Sequence, residues 1–322
     1  MKAIRFHHNG GPEVLSYEDI VIPEFSEGEV LVKLKASGVN FIDIYQREGL
    51  YPIPLPVTAG LEGAGIVTAI GREVTEVKIG DNVAYTGCLG SYAEYAVVPS
   101  WRLVKVPSSV DLSIAAAVML QGMTAHYLTH STYVVKAGDV CLVHAAAGGV
   151  GLLLIQMIKS LGAYVIGTVS TEQKAEVAKS VGADEIILYN KQDFESEVKR
   201  LTVNKGVNVV YDAVGKTTFD SSINCLIPRG YLVLYGQSSG KVPPIDPLLL
   251  TKKGSICLAR PSLEHHTLSR EEIIPRADTI FDWVSEGKLS VRIHKKLPLS
   301  EAAEAQQLLA NRDTMGKLLL IQ

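Results

Sequence analysis

The chain has 322 residues, enough for about two domains, and its 47% hydrophobic and 20% charged residues exclude a disordered chain. Its net charge is -3 at pH 7 and no cluster of Lys and Arg stands out, which argues against nucleic acid as a partner. No apolar run is long enough to cross a membrane, the start MKAIRFHHNGGPE has no apolar leader region, and the four cysteines (Cys88, Cys141, Cys225, Cys257) form no C-x-x-C pair, all of which fits a reduced cytoplasmic protein.

Residues 1 to about 110 read as mostly β, with strand-like runs at 2–6, 29–35, 60–70, 82–85 and 92–98 separated by Gly and Pro. The glycines at 60, 63, 65 and 71 point to tight bends or close backbone approach. The segment Asn40-Phe41-Ile42-Asp43-Ile44-Tyr45 reads either as the wall of a site or as an ordinary helical turn capped by a polar residue. From Asp111 the chain turns Ala-rich and helical, DLSIAAAVMLQGMTAHYLT, with Gly122 expected as a break. Residues 136–139 then turn into a strand at 140–143, and a helix follows from Val150.

Beyond it β and α segments alternate. Strands are expected at 164–169, 185–188, 207–212, 231–235 and 255–259, and helices at 171–181 (capped by Ser170 or Thr171), 194–201 and 217–226. This alternation predicts a parallel, doubly wound sheet with right-handed crossovers. Ligands of such sheets lie beyond the carboxyl ends of the strands, here near 145–150, 169–174, 212–215 and 236–239. The tail reads as helix 271–286, strand 291–296, helix 300–309 and strand 317–321. It is expected to return to the first domain, because the middle sheet already has its strands.

The stretch VCLVHAAAGGVGLLLIQMI, 140–158, organises the rest. Strand, Gly-rich turn and helix together place backbone N–H groups and a helix N-terminus against a phosphate. The spacing Ala145-x-x-Gly148-x-x-Gly151 is a variant of the dinucleotide fingerprint; the bland alternative is a small-residue turn without a ligand. An NAD-selecting unit ends its second strand with an acid that accepts from both ribose hydroxyls. Here that strand ends in Ser170-Thr171, and the first acid, Glu172, already falls in the helix. Ser170 and Lys174 are therefore assigned to a 2′-phosphate, which predicts NADPH over NADH; the bland reading of Lys174 is a solvated helix-surface lysine.

Taken together, GGPEVL (10–15), GVNFID (38–43), GLEGAG (60–65), GMTA (122–125), HAAAGGVG (144–151), YDAVG (211–215) and RPS (260–262) make the chain resemble the medium-chain dehydrogenase/reductases along its full length. Within them it resembles the zinc-free quinone oxidoreductases of the zeta-crystallin group. The resemblance implies an α/β protein: a GroES-like, mostly-β substrate domain (1–122, completed by 262–322) plus a Rossmann doubly wound parallel-sheet domain (123–261), with a cleft between them. It also implies NADPH and the reduction of quinones or related activated alkenes and carbonyls.

The zinc alcohol dehydrogenases of this family place a ligating Cys where this chain has Asn40 and a His where it has Leu61, and neither substitute is a usual zinc ligand. The closely spaced cysteines of a structural zinc lobe are also missing, so no metal is expected. His7-His8 and His265-His266 read as solvated loop pairs. By resemblance, Asn40, Asp43, Tyr45 and Thr124 belong to the cofactor site, with Asn40 and Thr124 toward the nicotinamide. Ala147, Gly148, Gly149, Val150 and Gly151 cradle the phosphates, Tyr189 closes the 2′-phosphate pocket, and Tyr235, Gly236, Ser238 and Arg260 flank the cofactor. Lys317 is assigned to the same cleft, against a bland reading as a surface lysine. Tyr45 and Tyr51 are the catalytic candidates on the acceptor side, against a bland reading as aromatic core.

Three functions compete on this pattern. The first is an NADPH-dependent quinone reductase. The second is an enone, alkenal or enoyl-thioester reductase on the same scaffold. The third is an NADPH-binding structural or RNA-binding protein of crystallin type, against which the lack of a basic stripe speaks. A homodimer is expected through the apolar segment 255–259, at the open edge of the Rossmann sheet.

Overall fold

The computed structural model describes residues 1–322. The chain forms two compact units, Met1–Met123 with His266–Gln322, and Thr124–His265. In chain order the elements are β1 (Lys2–Phe6), β2 (Ser16–Asp19), β3 (Glu29–Val39), α1 (Phe41–Arg47), β4 (Val57–Thr58), β5 (Glu62–Ile70), β6 (Asn82–Thr86), β7 (Tyr95–Pro99), β8 (Val104–Lys105) and α2 (Leu112–Tyr127). There follow β9 (Val140–Val143), α3 (Gly149–Ser160), β10 (Tyr164–Val169), α4 (Glu172–Ser180), β11 (Glu185–Leu188), α5 (Phe194–Leu201), β12 (Val207–Asp212), α6 (Phe219–Asn224), β13 (Leu226–Leu234), α7 (Leu248–Lys252) and β14 (Cys257–Ala259). The tail supplies α8 (Arg270–Ser285), β15 (Ile293–Pro298), α9 (Ala302–Ala310) and β16 (Lys317–Ile321). No helix is long and apolar enough to cross a membrane.

The first unit holds a seven-stranded sheet, β15-β16-β3-β5-β6-β8 with β7 also on β3, and a three-stranded sheet, β2-β1-β4. In β3, Val30, Val32 and Leu34 are buried, and the residues between them are more open, the period of two of a half-buried strand. From Ala36 to Val39 both faces are buried, and here β16 replaces β7 as the second hydrogen-bonded neighbour of β3. Small residues in β5 are a steric requirement: a Cβ on Gly65 would come within 2.1 Å of the Lys33 carbonyl oxygen. Aliphatic side chains of β1, α1, α9 and β16, among them Ile4, Ile44, Ala305 and Leu320, pack into one core of this unit.

The sequence expectation of a break at Gly122 is corrected. Helix α2 runs through it from Leu112 to Tyr127. A Cβ there would lie 2.8 Å from Val118 Cγ2 and 3.3 Å from Ile280 Cγ2, so the glycine lets α8 approach α2 closely instead of ending the helix. A single glycine costs a helix only about 1 kcal/mol relative to alanine, too little to stop one that is packed on both sides.

The second unit is a six-stranded parallel sheet in the order β11-β10-β9-β12-β13-β14. Leu142, Ile166, Val210 and Leu232 of its four inner strands share one core with Phe219 and Ile223 of α6. Three boundaries differ most from expectation, the first being the strand expected over 231–235, which runs from Leu226 to Leu234. The helix expected over 217–226 is confined to Phe219–Asn224, because Leu226 already belongs to β13. The edge strand is Cys257–Ala259 only; Ser255 has φ 55, in the left-handed region instead of the extended one of a regular strand.

Candidate nucleotide site and buried polar clusters

In the second unit the strand order reverses between β9 and β12, since β10 and β11 lie to one side of β9 and β13 and β14 beyond β12. The crevice at such a switch point is where doubly wound sheets hold ligands. Residues 144–148 link β9 to α3 there. Ala145 takes φ 51, and Gly148 is the N-cap of α3 without any side-chain cap. The first N–H groups of a helix have no carbonyl one turn earlier, and nothing from the N-cap side chain claims them here. A Cβ on Gly151 would lie 2.4 Å from the Ala145 oxygen and 2.9 Å from that of Ala146, so only glycine lets the helix start sit on this loop. Ala147 is buried beneath it, while Gly148, Gly149 and Val150 are half-buried.

Strand β10 ends at Val169, and Thr171 caps α4 by accepting from the Lys174 N–H at 3.3 Å. The acid that follows, Glu172, is paired with Lys191, Nζ to Oε1 at 2.9 Å. Asn190 Nδ2 donates to the Ser170 carbonyl at 3.1 Å and ties the turn after β11 to the end of β10. Ser170, half-buried Lys174 and exposed Tyr189 thus lie at the adjoining ends of β10 and β11, where the first acid, Glu172, is committed to Lys191. After β13, the Tyr235 N–H donates to the Asp212 oxygen and the Ser238 N–H to that of Ala213, at 2.9 and 3.1 Å. A Cβ on Gly236 would meet the Ala213 oxygen at 2.6 Å, so this loop too is pressed on its neighbour. Arg260, just past β14, donates from Nη1 to the Leu234 carbonyl at 3.0 Å.

The first unit carries a different kind of polar cluster. The turn at 40–45 is the start of α1, with Asn40 as N-cap and Asp43 as the reciprocal member of a capping box. The Asn40 carboxamide is fully used: Nδ2 donates to Glu62 Oε2 at 2.9 Å and to the Gly38 oxygen at 3.2 Å, and Oδ1 accepts from Lys317 Nζ at 2.7 Å. Lys317 also bonds Glu62 Oε2 at 2.5 Å, in an ion pair whose side chains are 1% and 0% exposed. Lys317 is therefore not the surface lysine of the bland reading. Gly38 makes the room, since a Cβ there would lie 2.1 Å from Glu62 Oε2.

Asp43 is buried as well. Its Oδ2 accepts from the Asn40 N–H and from Tyr92 Oη, both at 2.8 Å. Burial pushes its carboxyl up to about 7, against those two hydrogen bonds and the Lys317 charge, which pull the other way. Asn40, Asp43 and Lys317, all expected at the cofactor, have side-chain bonds within this cluster, to one another, Glu62 and Tyr92, and Asn40 also to Gly38 and Gln121. Tyr45 and Tyr51 are half-buried, with rings edge to face at 5.3 Å. Phe41 packs beside Tyr45 at 6.1 Å.

Comparison with known proteins supplies the lineage. Residues 26–108 match the alcohol dehydrogenase GroES-like domain, and residues 149–269 match the zinc-binding dehydrogenase family. A quinone oxidoreductase of Pseudomonas aeruginosa is 45% identical over 322 residues, covering 99% of both chains. The chain belongs to the medium-chain dehydrogenase/reductases, in their quinone oxidoreductase group. The crystal structure of Escherichia coli quinone oxidoreductase complexed with NADPH superposes with a TM-score of 0.98 at 41% identity, covering 100% of both chains. A 2-haloacrylate reductase of a Burkholderia species is 41% identical over 326 residues, covering 98% of this chain and 97% of its own.

Although one matching family is named for zinc, Asn40 and Leu61 stand where the resemblance expects the ligands of its zinc-dependent members, and both side chains are buried. Among the described residues no group of three or more His, Cys, Asp or Glu is arranged to hold a metal. Sequence reasoning missed the parts played by Glu62, Tyr92, His144, Asp212 and Ser222. A lone acid in a strand of small residues, and an acid closing the apolar run at 207–212, were the available signals, because an acid in an apolar strand must find buried partners.

Proposed function

We propose that this chain is an NADPH-dependent quinone oxidoreductase that works without zinc. The observation that carries the reading is the helix start at the switch point. There α3 has no side-chain cap, and Gly151 leaves no space for a Cβ, so backbone N–H groups form the surface offered to a pyrophosphate. The residues present fit this cofactor: Gly148, Gly149, Val150 and Gly151 take the pyrophosphate over Ala147, and Ser170, Lys174 and Tyr189 take the 2′-phosphate. Tyr235, Gly236, Ser238 and Arg260 flank its middle. Asn40, Asp43, Thr124 and Lys317 belong to the nicotinamide end, with Asn40, Asp43 and Lys317 acting by fixing the start of α1. NADPH, when bound, supplies a hydride.

The remaining task of the protein is to orient the acceptor and to exclude water around it. An acceptor carbonyl that receives a hydride gains negative charge on oxygen and needs a proton or a hydrogen bond. Tyr45 and Tyr51 are the donors proposed for that oxygen, their rings held against each other by edge-to-face packing. A cytoplasmic homodimer completes the proposal. Its motive is the short open edge strand β14, which has no neighbour on its outer side within the chain.

A second reading is favoured by one relative, the 2-haloacrylate reductase, whose name describes reduction of an activated alkene. The discriminating experiment is steady-state NADPH oxidation by the pure protein with a quinone, an alkenal, a 2-haloacrylate and an enoyl thioester. Highest kcat/KM with the quinone is expected. A preference for an alkene acceptor would favour the second reading, and no NADPH oxidation with any acceptor would sink both.

A further inference from the structure

A second polar cluster lies wholly inside the Rossmann unit, at the same switch point. His144, the first residue after β9, is 1% exposed. Its Nδ1 lies 2.9 Å from Thr168 Oγ1 of β10, and its Nε2 lies 3.0 Å from Ser222 Oγ of α6. Ser222 Oγ donates in turn to Asp212 Oδ2 at 3.2 Å, and Thr218 Oγ1 donates to the same oxygen at 2.7 Å. Asp212, fully buried at the end of β12, uses Oδ1 to accept the N–H groups of Val214 and Gly215, at 2.7 and 3.0 Å. Its carbonyl accepts from Tyr235 and Gly236 at 2.9 and 3.3 Å.

The bonding fixes the protons. A serine hydroxyl carries one hydrogen, and Ser222 gives it to the carboxylate. His144 Nε2 must then be the donor to Ser222 Oγ. Burial disfavours the imidazolium, so Nδ1 is bare and accepts from Thr168. The hydrogen bonds run in one direction: Thr168 to His144, His144 to Ser222, Ser222 to Asp212. This line ties the first residue of the fingerprint loop to the loop after β12 and, through the Asp212 carbonyl, to the start of the loop at 235–236. The ring of His144 also packs edge-on against Phe194, centroids 4.8 Å apart.

We propose that His144, as the neutral Nε2–H tautomer, is a positioning residue that sets the spacing between the fingerprint loop and the loops at 213–215 and 235–238. Ser222 and Asp212 are its partners. The proposal rests on the NADPH reading above. Those loops face the parts of the cofactor that NADPH and NADH share, so the network serves both nucleotides equally, unlike Lys174.

The test is His144→Phe, which keeps a ring against Phe194 and removes both hydrogen bonds. Titration of the whole protein should show NADPH and NADH each bound about tenfold more weakly, by the same factor. Turnover at saturating NADPH should stay within about twofold of wild type. His144→Gln, whose amide can still donate to Ser222, should recover part of the affinity. ¹⁵N spectra of the wild type should show the Nε2–H tautomer. If His144→Phe fails to fold, Ser222→Ala, which keeps the imidazole, is read by the same criteria. Wild-type affinity in the variant, a loss of kcat at unchanged affinity, a loss confined to NADPH, or an Nδ1–H tautomer would each overturn the inference. A wild type that binds no NADPH would overturn the functional reading itself, which separates the two failures.

Discussion

At the scale of single residues, the 2′-phosphate is the sharpest question. Lys174 lies in the first turn of α4, four residues after Ser170, while the acid of that turn is paired to Lys191. A charge-assisted contact is worth roughly 1.5–3 kcal/mol. Lys174→Ala should therefore weaken NADPH by about one to two powers of ten and leave NADH nearly unchanged. Equal losses for the two nucleotides in a binding titration would remove Lys174 from the phosphate site. Asp43 offers a second test. Its folded pKa of about 7 stands above the ordinary 3.8, so the neutral form is the one the fold prefers. Its contribution to stability is full below 3.8 and is lost as pH rises through about 7, by at most roughly 4 kcal/mol. Asn at this position keeps an acceptor for the Asn40 N–H and Tyr92 Oη and cannot ionise. The denaturation midpoint of wild type should thus fall relative to that of Asp43→Asn between pH 5 and pH 8; parallel profiles would show that Asp43 is already ionised at low pH. The phosphate reading was legible in the sequence, from the missing acid after β10; the partners of Asp43 were not. Asp43 and Tyr92 lie 49 positions apart and Glu62 and Lys317 lie 255 apart, and no local pattern records a partner at such a distance.

At the scale of elements, the sequence was far more informative. Period-two alternation in β3 and the strand, glycine turn and helix of β9 and α3 depend on neighbours within a few residues, and both are found where the pattern places them. What escaped it was the purpose of individual glycines. Gly122 looks like a helix breaker by composition, yet its role depends on Ile280 of a distant helix. Val118, one turn earlier, is fully buried and β-branched, so it has little freedom to move aside. Gly122→Val should cost about 1–3 kcal/mol through overpacking. A thermal midpoint equal to that of wild type would show that α2 and α8 can separate without loss. The edge of the Rossmann sheet is a similar case: five apolar-looking residues suggested a strand of that length, and the left-handed Ser255 shortens it to three.

At the scale of the whole molecule, the three-residue strand β14 is open on one side, which motivates pairing with a second copy. Light scattering at working concentration should give about twice the 34.8 kDa of one chain. A mass near that of the monomer would count against the dimer, and a charged substitution such as Leu258→Lys should shift a dimer toward single chains.

The first unit is built from two stretches of chain that flank the second, and β16 is inserted between β15 and β3. Translation makes the second unit as one uninterrupted stretch before β16 exists. Until then the β3 ladder that β16 will occupy has no partner there, and Glu62 lacks the ammonium that neutralises it, because Lys317 is the first residue of β16. One strand, β16, both closes the sheet and pairs the carboxylate. A polypeptide released before residue 317 would carry a buried acid without its counter-ion and an open strand edge at the same place. Both defects favour local opening over folding.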